Sequence, residues 1–449
     1  MMSPTMIHAA ERDRLLASYP DVFRRSFWQR WGLALCAGVT VLYLAVCFVA
    51  FNVGPAFMQG RWDRAAIYVQ DWYSWRAQPR LRFVDGAVVP QWSSRRQYPE
   101  GAYIDWLRPM ADGGYSVIYD GEGNRLDVHP DRVDIFVDGA SYPVAITAEG
   151  VEPPEGAPAG VVFDGTKVMV DYGFEGSAEI RGSQVYVQRR FLGWANFFFD
   201  IRSPFWGKSF GEIANLALLA ERVDPDRSNV RHMVDDFLGN TAWQHADILS
   251  KLLQTLVMAF VGTLLGTLFA LPLAFIAARN ITLNRAANWG MKRLFDFLRS
   301  IDMLIWALFF TRGFGPGPIP GIAAIFFTDT GALGKVYAEA LENVDDKQRE
   351  GVKSVGASSV TVNRFGVLPQ VLPVFVSQSL YFWESNTRSA TIIGAVGAGG
   401  IGLKLLEAMG TNADWDKVAY MVVLILIVVF VFDGISNALR SRLIGKPMH

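Results

Sequence analysis

Long apolar runs constrain this chain more than any other feature. Gly32–Phe51 and Leu252–Ala278 contain no charged residue, and Val418–Leu439 contains only Asp433. At 1.5 Å of rise per residue, each is long enough for a hydrocarbon core of about 30 Å. Val371–Ile393 has the same character with Glu384 and Arg388 inside it. A weaker run, Leu294–Thr311, carries Arg299 and Asp302. After the turn Gly313–Pro320, Gly321–Phe327 continues into a mixed segment toward Ala340. Lipid leaves no water to satisfy backbone polar groups, so such segments are expected as helices. The reading is an α-helical polytopic membrane protein with about six transmembrane helices. Gly32–Phe51 is read as an uncleaved first span, because it is longer than a signal-peptide core and follows a long polar segment.

The composition agrees. The 449 residues are 51% hydrophobic and 19% charged, with a formal net charge of −1. A soluble protein carries roughly 25% charge, and a nucleic-acid binder a basic excess, so neither fits, and no nucleic-acid partner is expected. The two cysteines, Cys36 and Cys47, share one apolar run, and the five histidines (His8, His129, His232, His245, His449) show no metal-ligand spacing. No metal site is expected.

Between the first and second runs the hydropathy breaks. Residues 52–247 contain turn clusters, Asp120-Gly121-Glu122-Gly123 and Pro153-Pro154-Glu155-Gly156. Short runs lie between them: Val133–Val137, Val144–Thr147, Val161–Phe163, Lys167–Val170 and Gln184–Gln188. This pattern predicts a β-rich subdomain. Phe210–Ala220 is read as a helix leading back to the membrane. The expected organisation is a cytoplasmic segment 1–31, a first span 32–51, an inserted extracytoplasmic β-rich subdomain 52–247, a core 248–440 with the remaining spans and the loop 342–369, and a cytoplasmic tail 441–449. Lys and Arg concentrate in 1–31, 279–293 and 440–449, which places both termini and these loops on the cytoplasmic side. Gly160–Gly165 has the glycine spacing of a phosphate loop. It is followed by Thr166-Lys167 and lies among strands, so ATP hydrolysis by this chain is rejected.

The polar loop contains Glu350-Gly-Val-Lys-Ser-Val-Gly356 and then Gly366-Val-Leu368-Pro369. This resembles the EAA loop of ABC importer permeases, with Glu350, Gly356, Leu368 and Pro369 at matching spacing; Gly351 and Val352 replace alanines and Gly366 replaces isoleucine. Leu380–Gly402, with Trp383, Glu384, Arg388 and its glycine series, and Leu256–Leu271, with Gly262, Gly266 and Pro272 nearby, are similar to the phosphonate-type importer permease family. The resemblance implies a type I ABC importer permease core in the bacterial inner membrane. It implies no cofactor in this chain, with ATP and Mg on separate ATP-binding subunits. It also implies an extracytoplasmic substrate-binding protein, a second permease chain (identical or paralogous), and phosphonates or related organophosphorus anions as cargo. Residues 52–247 are larger than the linker expected of that family. A short projecting helix can sit in a groove of a motor subunit, a positive-φ glycine lets the chain turn, and Pro369 sets the start of the next helix.

The candidate path residues are Trp383, Glu384, Asn386 and Arg388, with Arg299 and Asp302. Glu384 is expected in the outer half of its helix, and Arg388 lies four residues on, on the same face. Two readings stand: these charges line a path, or they pair with each other and fix packing. Asp433 is read as a partner for Arg440 or the loop. The series Gly394, Gly397, Gly399, Gly400 and Gly402 suggests a hinge or close packing. Other solutes such as an amino acid, or a membrane sensor with an outside ligand domain, are the alternatives. The sensor would need a cytosolic output domain, and the expected inside segments are short.

Overall fold

In the computed structural model the described residues are 17, 18 and 27–444, apart from 61, 93–97, 99–103, 122, 148, 149 and 412–414. Most of the segment 1–31, the end of the tail 441–449, and Glu122, His8 and His449 lie outside them. The chain forms two compact units, 1–67 and 68–449.

The first unit holds α1 (Phe27–Ala50) and α2 (Val53–Met58). Along α1 the stretch Arg30–Ala50 has a mean hydropathy of 2.5 and none of it is buried. A helix apolar on every side suits lipid. The chain continues through α3 (Trp62–Tyr73).

The strands follow: β1 (Ser74–Ala77), β2 (Arg80–Val84), β3 (Ala87–Gln91), β4 (Leu107–Pro109), β5 (Tyr115–Asp120), β6 (Asn124–Val128), β7 (Arg132–Val137), β8 (Ala140–Thr147), β9 (Gly150–Val151), β10 (Val161–Phe163), β11 (Val168–Asp171), β12 (Gly176–Arg181) and β13 (Gln184–Leu192). A seven-stranded sheet has the order β10-β11-β12-β13-β2-β3 with β1 also on β13; a six-stranded sheet runs β4-β5-β6-β7-β8-β9. All pairings are antiparallel. Alternation sets the buried faces: Val133 and Ile135 of β7 (Arg132–Val137), Val168 and Val170 of β11 (Val168–Asp171), and Val185 and Val187 of β13 are all buried. Two hairpins turn on Asp-Gly pairs with positive φ, Asp85-Gly86 and Asp138-Gly139. Asp-Gly suits a tight hairpin, because both central residues need left-handed backbone. Gly160–Gly165 is β10 (Val161–Phe163) plus a turn in which the Asp164 carboxylate accepts from the Thr166 and Lys167 amides, both at 3.1 Å.

Helices follow: α4 (Phe210–Leu218), α5 (Asn229–Leu238), α6 (His245–Ala277), α7 (Arg285–Ser300), α8 (Met303–Phe314), α9 (Pro318–Glu342), α10 (Asp346–Ser354), α11 (Ser359–Val362), α12 (Leu368–Ile393), α13 (Gly400–Gly410) and α14 (Trp415–Ile444). Among the described residues, the helices around Arg30–Ala50, His245–Ala277, Ser359–Ala398 and Trp415–Arg442 are long and apolar enough to cross a membrane. The expected helix at Phe210–Ala220 forms as α4, started by a capping box between Ser209 and Glu212.

The expected run Leu294–Thr311 is not one helix. α7 stops at Ser300, and Asp302 caps α8 by accepting from the Leu304 amide at 2.8 Å. An aspartate in that position offers the backbone a better partner than helix continuation does. α7 and α8 both pack along α9, which is the central helix of the bundle. Small residues allow the approach: Gly262 and Gly266 of α6 face Ile325 and Asp329, and Gly331 and Gly334 of α9 face Leu298 and the Phe295 ring.

Candidate translocation site

The polar residues of α12 fall into two groups by what surrounds them. Several of those turned inward are engaged with neighbouring helices. Ser379 meets the Tyr337 hydroxyl of α9 at 2.6 Å and the Thr267 hydroxyl of α6 at 3.2 Å. The Asn386 amide donates to Asp329 Oδ2 at 2.6 Å and to Thr263 Oγ1 at 2.8 Å, so three helices meet on one buried polar cluster. Trp383 packs between Phe260 and Phe432. Glu384, only 8% exposed, accepts from Arg440 Nη2 of α14 at 3.0 Å.

Arg388 is different. Its side chain is 48% exposed and its contact with Glu384 is long, at 3.5 Å. The Glu384 charge is therefore not satisfied within its own helix, as the sequence allowed; its closer partner is Arg440. Among the described residues no hydrogen bond or ion pair joins Asp433 to Arg440, whose guanidinium is taken by Glu384, so the expected pairing of those two is not made. Glu384 lies past the midpoint of α12 and faces the C-terminal end of α14. An arginine inside a span costs about 2.5–3.5 kcal/mol on insertion scales unless it faces a cavity or a partner. Arg388 is thus the cation left available at this level of α12.

Arg299 and Asp302 sit elsewhere. Arg299 ends α7 and pairs with Asp296 at 3.4 Å, and Asp302 is the α8 cap. Among the described residues no hydrogen bond or ion pair joins either to the polar residues of α12.

The polar loop folds as α10, a turn at Gly356, and α11. Gly356 has φ +80, the left-handed conformation that ends α10 and that glycine takes without strain. Ser358 caps α11, and a wide turn at Asn363–Val367 leads into α12, with Leu368 and Pro369 in its first turn. Arg349 of α10 donates to the Asn280 carbonyl at 2.9 Å, tying the loop to the end of α6. Glu350 is exposed and makes no ion pair among the described residues. Val355, Val360 and Phe365 are strongly exposed around the turn. At the other end of α12, the chain turns through Gly397 (φ +102), Gly399 and Gly400 before α13, and the Gly317 amide donates to the Gly397 carbonyl at 3.1 Å.

The family described as binding-protein-dependent transport system inner membrane component matches residues 270–445. A phosphite transport system permease protein of Stutzerimonas stutzeri is 37% identical over 211 residues, covering 47% of this chain and 74% of that one. The chain belongs to this family of transport-system membrane components. A protein of Escherichia coli K12 named as a cryptic phosphonate transport system permease is 42% identical over 121 residues, 27% of this permease and 98% of that protein. A phosphate-import permease of Mycolicibacterium smegmatis is 34% identical over 198 residues, 44% of this permease and 37% of that one. Among solved structures, an inward-facing methionine ABC transporter aligns at 21% identity with a TM-score of 0.39, over 44% of this permease and 95% of that chain.

The fold of this multi-pass permease adds residues that sequence reading passed over. Asp329 was legible only as an acid in a mixed stretch; the structure makes it the buried centre of the Asn386–Thr263 cluster. Arg440, read as a cytoplasmic cation and a partner for Asp433, is the partner of Glu384. Both partnerships join residues far apart in the chain, with no local signal.

Proposed function

We propose that this permease passes phosphorus oxyanions, phosphonate or phosphite, across the bacterial inner membrane in an ATP-driven importer. The observation that carries the reading is the exposed α10–α11 loop, tied to α6 through Arg349 and continuous with α12, which holds Arg388. ATP-binding subunits with their Mg dock on Glu350, Gly356 and the exposed Val355, Val360 and Phe365, and the first turn at Leu368 and Pro369 carries their motion into α12. Both termini and this loop are cytoplasmic. Residues 52–247 form an extracytoplasmic β-rich insertion against which a substrate-binding protein docks. A second permease chain, identical or paralogous, completes the pathway.

Within the path, Arg388 meets the anion. A single half-exposed guanidinium offers an oxyanion a charge-assisted contact, and Glu384 beside it keeps that contact weak enough for release. Glu384, Asn386 and Trp383 hold α12 in register rather than touching cargo. Arg299 and Asp302 fix the α7–α8 break. The names of the relatives, phosphite and phosphonate permeases, support the cargo class.

The test is uptake of labelled phosphite and 2-aminoethylphosphonate in cells lacking their own transport for both, supplied with this chain and its partner subunits. Gly356→Trp, which forces a bulky residue into left-handed backbone on the docking surface, should abolish uptake while the chain still inserts. Uptake that survives the substitution refutes the coupling role, and an assembled importer that moves neither anion refutes the cargo.

A further inference from the structure

We infer that one face of α12 is a wet, anion-facing track in which Gln378, Tyr381 and Ser385 act together with Arg388. This rests on the proposed import of oxyanions and names the side chains that would handle them. The four residues are spaced three, four and three positions apart, so they lie along one face of the helix. Tyr381 and Arg388 are exposed, and Gln378 and Ser385 are part-exposed.

Two observations separate this face from ordinary membrane-helix surface. The first is the use of hydrogen-bonding capacity. Ser379 and Asn386, on the other faces of α12, and Glu384, beside Arg388, are all engaged with side chains of other helices. Among the described residues, the side-chain polar atoms of Gln378, Tyr381 and Ser385 make no hydrogen bond. Polar groups left unsatisfied in hydrocarbon are costly, so their environment must be water, cargo or a partner surface.

The second is the contrast with neighbouring spans. The exposed residues of α6 within its span, such as Leu264 and Leu268, are apolar, and so are Ile427 and Phe430 of α14. Those surfaces suit lipid. The open face of α12 alone among these long spans presents an amide, a phenol, a hydroxyl and a guanidinium in line.

The chemistry fits an anion in transit. The Gln378 amide, the two hydroxyls and the Arg388 guanidinium are all donors, and the oxygens of a phosphorus oxyanion are acceptors. Only one site carries formal charge, so no point on the track holds the anion as a closed cage would. The order along α12 runs from Arg388, near the Gly394–Gly400 turn, to Gln378, toward the coupling loop. An anion leaving Arg388 therefore finds neutral donors one turn at a time on its way to the cytoplasmic end.

The test uses the complete importer in liposomes, with Cys36→Ser and Cys47→Ser removing the native thiols. Single cysteines at positions 378, 385 and, as a lipid-facing control, 264 are treated with a membrane-impermeant, charged thiol reagent. Labelling at 378 and 385 should be more than about tenfold faster than at 264, and saturating phosphite with binding protein and ATP should slow it. Separately, Tyr381→Phe and Ser385→Ala should each lower the saturated uptake rate about threefold or more, the scale of one lost hydrogen bond. ATP hydrolysis should continue, so the ATP consumed per anion rises; a merely structural defect would lower both together. Labelling at 378 and 385 no faster than at 264 overturns the track. So does complete cross-linking of two copies at 385 without labelling, which would make the face a dry interface between permease chains. Import of a neutral solute with labelling intact refutes the oxyanion cargo and leaves the wet path standing.

Discussion

Arg440 donates to Glu384 across 3.0 Å from a different helix, whereas Arg388, on the same helix as Glu384, stays 3.5 Å away and half open. The two arginines therefore do different work. Arg440→Gln removes the main partner of a buried carboxylate, which typically costs about 3–5 kcal/mol. Arg388→Gln removes a long contact at an exposed side chain, worth at most about 1 kcal/mol. The melting temperature of the purified complex should fall markedly with Arg440→Gln and little with Arg388→Gln. Uptake per folded complex should fall with Arg388→Gln. Equal thermal losses from both would show that they form one structural unit.

Asn386 joins three helices by donating to Asp329 and Thr263 at once. Asn386→Leu leaves a buried carboxylate short of a donor, at a cost of about 1–3 kcal/mol. Asp329→Leu alone should cost as much, and the double replacement less than the sum, since each removes the other's unpaired partner. A double-mutant cycle on thermal stability checks this; strict additivity would mean that the bond contributes nothing.

How much of this was legible differs by element. β7 could be read because Val133 and Ile135 alternate with other residues and the Asp138-Gly139 turn closes its hairpin, and β10 because a short apolar run meets the turn Asp164-Gly165-Thr166. Strands before 129 were not singled out: β2 (Arg80–Val84) puts arginines at its exposed positions, and β4 (Leu107–Pro109) is three residues long. The run 294–311 misled because its apolar content continues through a cap that only the Asp302 contact reveals. The turn between α10 and α11 was legible at Gly356, whose φ of +80 is what a glycine placed to turn the chain implies. The grouping of path residues was not. Hydropathy cannot say that Asn386 points to Asp329 while Arg388 points away, and Glu384 and Arg440 are 56 residues apart.

The glycines between α12 and α13, and those of α13, test close packing. A Cβ on Gly402 would overlap the Thr391 carbonyl oxygen, which belongs to the backbone of α12 and cannot rotate aside. Gly410, at the other end of α13, has open space around it. Gly402→Ala should separate α13 from α12 and destabilise the complex by about 1–3 kcal/mol or more. Gly410→Ala should be neutral or slightly stabilising, since alanine favours a helix. Matching melting temperatures for the two variants would sink the packing argument.

In the β-rich part, His129 contacts Asp112 through Nδ1 and Asp134 through Nε2, the second at 3.2 Å. The His129 contact, with the Gly114 amide, holds the exposed Asp112 carboxyl below its ordinary value of 3.8. A carboxylate with a depressed folded pKa adds stability above its unfolded pKa and loses it as pH falls through the folded value. Protection of the β4–β5 hairpin amides from hydrogen exchange should therefore be steady at neutral pH and weaken only in acid. His129→Gln should move the Asp112 midpoint, followed by carboxyl NMR on the full chain in nanodiscs, back up toward 3.8. A midpoint unmoved by that substitution would leave the histidine without a role.

Val355 is 80% exposed, Val360 77% and Phe365 63%, all around the Gly356 turn. Exposed positions away from caps and cores tolerate replacement within about 0.5 kcal/mol of stability, so changes here test contact with a partner rather than folding. Burying one such side chain against a motor subunit contributes about 1.5–3 kcal/mol. Val360→Asp removes that contribution and adds a charge that must be desolvated in the groove. The variant should insert and melt like the parent, yet retain its ATP-binding subunits on purification at least about tenfold less well. Phe365→Ser should act the same way, and a distant exposed change such as Val162→Ser should not. If Val360→Asp and Phe365→Ser both kept full retention and full ATP-dependent uptake, the motor would have to engage this permease somewhere other than the apolar rim of the α10–α11 turn.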